Sequence, residues 1–411
     1  LHLSLRRQRQ MCIRDRSFHI PVAVGLLDSS GKDMILKVDG EVVTIGTVAL
    51  ELTSAQQTFR FTDVNEKPVP SMLRNFSAPV VLEYDYSEDE LAFLLAHDSD
   101  AFNRWEAGQR LATRRLLALT SAAQKSEALN VDPALSDSLR ATLNDVTLDP
   151  AFRETVLTLP AETVIAEQMD VIDPQAIHAA RRFLRRSLAQ AMRADFIAIY
   201  KANQTKGDYS PDATSSGKRG LKNLALSYIA ELDDADAHAL AQAQYDAANN
   251  MTDRMASLSA LANSQAPSKA AALAQFYSDF EQEPLVIDKW FSLQAMARTT
   301  DVTTVRKLMQ HPAFSIKNPN RARSLIFSFC NGNPSRFHAA DGSGYVFWAE
   351  QVIALDAINP QVGARLARSL DRWRKYAPEL QEKMHAVLKR VAAAKLSKDT
   401  KEVVTKSLAA T

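Results

Sequence analysis

SEDELAFLLAHDSDAFNRWEAGQRL, residues 87–111, divides the chain in two. Ser87-Glu88-Asp89-Glu90 has the form of a capping box. The Ser hydroxyl can take the backbone N–H three residues on, and Glu90 can reach back to the Ser87 N–H. Leu91, Leu94 and Leu95 then fall on one helix face. Asp100 follows as a second cap, opening a helix whose apolar face reads as Phe102, Trp105, Ala107 and Leu111.

Before Ser87 the pattern is that of strands. Residues 18–27 (FHIPVAVGLL) are β-rich and end at the turn residues Asp28-Ser29-Ser30-Gly31. Residues 34–38, 42–45, 57–61 and 80–84 complete a set of about five strands, with Asp39-Gly40 as a hairpin turn. Short strands joined by turns imply an antiparallel β-sandwich, and so few imply an incomplete one. After Ser87, helical patterns run to Thr411. They break at Asp132-Pro133, Asp149-Pro150, Asp173-Pro174, Asn318-Pro319, Asn333-Pro334 and Asn359-Pro360, where Asp or Asn can cap and Pro pre-sets the first turn. Helix pairs over such a length, without a strict period, imply an irregular superhelical α-solenoid. The expected fold is therefore mainly α, a large solenoid-like domain over 88–411 behind a small sandwich over 17–87.

Residues 1–16 (LHLSLRRQRQMCIRDR) stand apart. Their five Arg and one Asp contribute +4 to a net charge of +1, and no apolar period runs through them. A basic arm and a transit peptide are alternatives; the reading adopted is a non-native segment outside the fold, with the true N-terminus missing. The remaining charges nearly cancel, which gives no reason to expect nucleic acid or an anionic membrane as partner. Cys12 and Cys330 make neither a disulfide framework nor a C-x-x-C site. A cytoplasmic, monomeric protein is expected.

Catalytic patterns are absent from the sequence. Two imidazoles one helical turn apart would be needed for a helix-borne zinc site, yet no two of the eight histidines lie that close. There is no G-x-S-x-G and no phosphate-binding Gly-rich loop. Cys330 with His338 reads as buried structure rather than nucleophile and base. Asn249, Asn250, Asp253, Trp290 and His338 read as caps and core, and Arg181-Arg182 with Arg185-Arg186 as a solvated helix face.

Several segments are more particular: residues 68–80 (PVPSMLRNFSAPV), 248–253 (ANNMTD), 288–291 (DKWF), 318–326 (NPNRARSLI), 337–345 (FHAADGSGY) and 359–366 (NPQVGARL). In this order they resemble the C-terminal half of the bacterial aminopeptidase N family, alanyl aminopeptidases of the gluzincin zinc metallopeptidases. The resemblance implies a partial sandwich and a complete helical domain from a four-domain enzyme that removes N-terminal residues from peptides. It also implies that the helical domain closes over the catalytic cleft. The zinc helix, the Glu base, the loop holding the substrate amine and the transition-state Tyr have no counterpart in the chain. Zinc is thus expected in the full-length enzyme and not in this chain, which is expected to be inactive alone. By the same resemblance Gln361 and Arg365 would reach the pocket for the substrate's N-terminal side chain, and Arg323 would face the cavity near bound peptide. A guanidinium can hold a carboxylate or carbonyl, and positions i and i+4 share a helix face. The alternative is a stand-alone helical scaffold that binds peptides or proteins.

Overall fold

The structure is a computed structural model that describes residues 2–6, 18–205 and 207–409. Seven strands form its β part: β1 (His2–Arg6), β2 (Ile20–Leu27), β3 (Ile35–Val38), β4 (Glu41–Ile45), β5 (Val48–Leu52), β6 (Gln56–Thr62) and β7 (Val69–Met72). They make two antiparallel sheets, ordered β1-β6-β3-β4 and β5-β2-β7. Val22, Val24, Leu26, Leu50 and Met72 of one sheet share a single buried cluster with Leu36, Phe59 and Phe61 of the other. This is the period-two packing of a sandwich. Between β3 and β4, Asp39 and Gly40 have φ of 52° and 92°, the left-handed pair that a two-residue hairpin turn requires.

The count of about five strands is corrected to seven among the described residues. Pro68 and Pro70 disguise β7 in the sequence, but β7 lies at a sheet edge, where a missing N–H is tolerated. Residues 80–84 form no strand. Arg110 donates to the Tyr84 carbonyl (2.7 Å) and Arg114 to that of Tyr86 (2.6 Å), so guanidiniums stand where a ladder was expected. Five of the residues read as lying outside the fold belong to a sheet. β1 pairs with β6, His2 opposite Arg60 and Arg6 opposite Gln56. Residues 7–17, including Cys12, lie outside the described residues.

The chain forms two compact units: residues 1–115, 131–160 and 216–221, and residues 116–130, 161–215 and 222–411. The first joins the sandwich to α1 (Glu88–His97), the start of α2 (Ala101–Gln124), α3 (Pro133–Asn144) and α4 (Pro150–Leu157). Both bonds of the capping box are present: the Glu90 N–H donates to Ser87 Oγ (3.1 Å), and the Ser87 N–H to Glu90 Oε2 (2.9 Å). Asp100 accepts from the Asn103 N–H at 2.9 Å. The buried face of α2 differs from the expected one. Asn103, Arg104, Ala107 and Leu111 are buried, and Phe102 and Trp105 half-buried. The Asn103 amide turns inward because it donates to Ser71 Oγ and the Met72 carbonyl, at 2.8 and 2.9 Å.

The second unit is helical: α5 (Glu162–Glu167), α6 (Pro174–Ala191), α7 (Arg193–Ala202), most of α8 (Ala213–Ile229), α9 (Ala235–Ala247), α10 (Met251–Ala262), α11 (Lys269–Phe280), α12 (Pro284–Ala295) and α13 (Val302–Met309). Then come α14 (Pro319–Ala322), a π-helical turn (Arg323–Phe327), α15 (Ser328–Gly332), α16 (Pro334–Phe337), α17 (Ser343–Ile358), α18 (Pro360–Ala367), α19 (Pro378–Ala392) and α20 (Lys398–Ala409). From α9 to α12 each helix packs on the next. Longer-range ties also hold the unit. The Ile172 N–H donates to Lys375 (2.6 Å), the Ala377 N–H to Ile172 (3.0 Å), and the Gln175 amide to the carbonyls of Ser335 and His338.

Asp132, Asp149, Asp173, Asn318 and Asn359 cap their helices as read. Asn333 does not; its buried amide donates to the carbonyls of Ala295 and Ala297, both at 3.0 Å. Among the described residues no helix is long and apolar enough to cross a membrane.

Candidate functional site

α18 begins at the Asn359 cap with Pro360 in its first turn. Val362, Gly363, Leu366 and Ala367 are its buried face. A Cβ on Gly363 would lie 2.8 Å from the Asp356 backbone, so glycine permits the close approach of α17. The Trp348 indole donates to the Leu366 carbonyl at 3.0 Å. This docking fixes the rotation of α18 and turns Gln361 and Arg365 together to its exposed side. Among the described residues neither side chain has a hydrogen bond or ion pair. Arg323 opens the π-helical turn, in which Ser324, Leu325 and Ile326 are buried. It is exposed, and its guanidinium donates to Asn320 Oδ1 at 3.3 Å. The structure thus places Gln361 and Arg365 on one face, and no bond ties Arg323 to them.

A pocket of about 460 Å³ lies elsewhere in the second unit. Arg181, Arg182 and Arg185 of α6 line it with Arg298, Glu162 and Glu231. The reading of the α6 arginines as a solvated face is therefore corrected for Arg181 and Arg185, which are half-buried, while Arg182 and Arg186 are exposed. Glu231 is buried between Arg185 (Nε, 2.9 Å) and Arg298 (Nη1, 2.8 Å). Burial alone would raise its pKa, but the two guanidiniums outweigh that and hold it below the usual carboxylate range. Arg185 also lies over the Tyr228 ring, 4.6 Å from its centre, and bonds Ser227. Burial, then the repulsion of Arg185, lowers the Arg181 guanidinium from its usual value. The sequence hides this group because Glu231 and Arg298 meet α6 only through the tertiary fold. Arginines one turn apart are the sole local signal.

The remaining candidates are structural. Asn250 caps α10 by accepting from the Asp253 N–H at 2.9 Å, while Asn249 is exposed and donates to the Gly207 carbonyl. Asp253, also buried, takes the Lys222 ammonium at 2.7 Å and the Asn223 amide at 3.0 Å. The Trp290 indole donates to the Leu273 carbonyl within an aromatic group that includes His311 and Phe291. Burial pushes the Cys330 thiol well above its ordinary pKa, away from the thiolate a nucleophile needs. His338 Nδ1 lies 2.9 Å from the Tyr345 hydroxyl, and burial lowers the imidazole to about 3.

Zinc does not fit the side chains present. Among the described residues no group of three or more His, Cys, Asp or Glu is disposed to hold a metal ion. His178 faces Glu162 at 2.8 Å and His238 faces Asp233 at 2.6 Å, each a pair without a third donor.

Two family models match the chain: a domain of unknown function with an Ig-like fold (DUF3458) over residues 2–85, and its C-terminal partner, described as ARM repeats (DUF3458_C), over residues 88–409. Aminopeptidase N of Escherichia coli is 41% identical over 95% of the chain and 45% of its own length. Aminopeptidase N of Haemophilus influenzae is 36% identical over 95% of the chain and 45% of its own length. The chain thus spans about half the length of these curated relatives. A crystal structure of Legionella pneumophila aminopeptidase A in complex with aspartic acid superposes with a TM-score of 0.81 at 29% identity, covering 99% of this chain and 47% of that one. The chain belongs to the DUF3458_C family of ARM-repeat domains, carried behind its Ig-like partner, and corresponds to the C-terminal part of the aminopeptidase N proteins.

Proposed function

We propose that the chain is the C-terminal part of a zinc aminopeptidase that releases N-terminal residues from peptides, and that its helical domain closes and shapes the substrate cavity. The zinc and its catalytic chemistry would be supplied by an upstream region, where the metal would polarise the first peptide carbonyl. In this reading Gln361 and Arg365 line the pocket for the substrate's N-terminal side chain, and Arg323 faces bound peptide. The observation that carries it is the pair on α18: an amide and a guanidinium on one exposed face, with no partner within the described chain. A helix docked so tightly on its other face is a rigid platform for two such groups.

The test is Arg365→Ala in the enzyme with its upstream region restored. A charge-assisted bond in a partly dry pocket is worth about 1.5–3 kcal/mol, so kcat/KM should fall by about ten- to a hundredfold. Melting temperature should hold, because the side chain supports nothing in the fold. Arg372, exposed with its guanidinium 3.5 Å from Glu167, is the control. A variant that loses melting temperature and keeps full activity would assign Arg365 to structure and withdraw it from the pocket.

A further inference from the structure

Two of the particular sequence segments, residues 288–291 (DKWF) and 318–326 (NPNRARSLI), meet in the second unit at Asp288. The Asp288 carboxylate on α12 receives the Arg321 guanidinium, and the Ser324 hydroxyl donates to it at 3.3 Å. Arg321 is further fixed by donation to the carbonyls of Pro284 (2.8 Å) and Ala313 (3.0 Å), and its guanidinium lies 5.7 Å from the centre of the Phe291 ring. In the chain these ties stand on both sides of Arg323. Beyond them the Ser328 N–H and hydroxyl both donate to the Arg323 carbonyl, the hydroxyl at 3.3 Å. That closes the π-helical turn, which holds one residue more than an α-turn. From 321 to 326 every residue but Arg323 is buried. The backbone of Arg323 is thus clamped from both flanks, while its side chain leaves a buried segment for the exposed side and meets Asn320 Oδ1 at 3.3 Å. A carboxylate tied to residues on either side of an exposed arginine fixes where the arginine's Cβ points.

We propose that Asp288 is a positioning residue: by holding Arg321 and Ser324 it aims the Arg323 guanidinium at bound peptide. This role rests on the reading above in which Arg323 faces bound peptide, and it names what places that side chain. It concerns substrates long enough to reach Arg323, namely peptides of several residues, and leaves single-residue amides unaffected. A guanidinium bonds a carbonyl or carboxylate over a narrow range of distance and angle, so a small shift of the turn weakens the contact. Asp288→Asn keeps the size of the side chain and removes its charge. Arg321 retains the carbonyls of Pro284 and Ala313 in that variant, so the turn loosens without unfolding.

The test uses the enzyme with its upstream region restored and compares kcat/KM for penta-alanine with kcat/KM for alanyl-p-nitroanilide. Damage to the fold lowers both values together, whereas loss of aim lowers their ratio. Arg323→Ala should lower the ratio by about tenfold, the scale of one charge-assisted contact. Asp288→Asn should lower it by about three- to tenfold, through KM for the peptide rather than kcat. In the double variant the ratio should equal that of Arg323→Ala alone, because nothing remains to be positioned. Ser324→Ala removes the other tie to Asp288 and should lower the ratio by a smaller factor, so the proposal does not hang on one variant. The positioning role alone is overturned if Arg323→Ala lowers the ratio while Asp288→Asn and Ser324→Ala leave it unchanged, or if the double variant falls further than Arg323→Ala. A ratio unchanged in Arg323→Ala would overturn the placing of Arg323 at bound peptide and this role with it. Hydrolysis of neither substrate by the parent would overturn the peptidase reading beneath both.

Discussion

At the scale of single residues, Arg74 shows how a polar side chain organises an apolar fold. Its guanidinium, 2% exposed, reaches Asp33 (2.8 Å), Asp98 (3.0 Å), Ser71 Oγ (2.8 Å), Thr47 Oγ1 (3.1 Å) and the Gly46 carbonyl (3.1 Å). A Cβ on Gly25 would sit 2.1 Å from Arg74 Cζ, so the central strand β2 needs glycine where the arginine crosses it. Leu73 and Asn75 on either side have φ of 60° and 54°, a local strain held by this network. Arg74→Met should destabilise the first unit by about 3–5 kcal/mol, because it leaves the buried Asp98 uncompensated. Urea unfolding of the variant measures this, and a change below about 1 kcal/mol would show that the network is dispensable. His338 makes a pH-dependent contribution. Its imidazole stays neutral in the fold down to about 3, while the unfolded chain takes up the proton near 6.5. Its share of stability is therefore complete above about pH 6.5 and declines as pH falls through the window between the two values. At pH 5 the loss amounts to about 2 kcal/mol. The burial of Tyr345 raises its hydroxyl pKa, so the hydroxyl stays protonated beside the neutral ring. In His338→Gln the drop in unfolding free energy between pH 7 and pH 5 should shrink by about that amount. An unchanged pH slope would refute the assignment.

At the scale of elements, most of the helical framework is legible in the sequence, because Asp-Pro and Asn-Pro junctions carry their own chemistry. The side chain supplies the cap and the ring fixes φ, and five of the six junctions use both. Asn333 departs because two backbone carbonyls near the end of α12 are close enough to claim its amide. The two roles separate in energy. Asp149→Ala removes one exposed cap and should cost about 1 kcal/mol. Asn333→Ala strands two buried carbonyls and should cost about 2–3 kcal/mol. Paired denaturation curves compare them directly, and equal losses would mean that Asn333 acts as an ordinary cap. The strands are less legible. β5 alternates buried and exposed residues over a short run, and the prolines of residues 68–70 conceal β7. The α18 site is half legible: spacing puts Gln361 and Arg365 on one face, but only the docking of α18 on α17 shows that this face is open. The arginine pocket is not legible, since Glu231 and Arg298 come from turns far from α6 in the sequence.

At the scale of the whole molecule, the account rests on a division of labour. Ig-like and ARM-repeat parts correspond to the C-terminal part of aminopeptidase N, and among the described residues no metal-binding donor set occurs. In the reading advanced here, chemistry lies upstream and this chain supplies shape and contacts. The most direct measurement is zinc content together with alanyl-amide hydrolysis, for the 411-residue chain alone and for the same chain joined to the coding region that precedes it in the genome. The account predicts neither zinc nor turnover for the chain alone, and about one zinc per molecule with chelator-sensitive hydrolysis once the upstream region, bearing an in-frame H-E-x-x-H, is restored. One tightly held zinc and chelator-sensitive hydrolysis in the chain alone, or a genuine start codon at Ser17 with no such motif upstream, would contradict it.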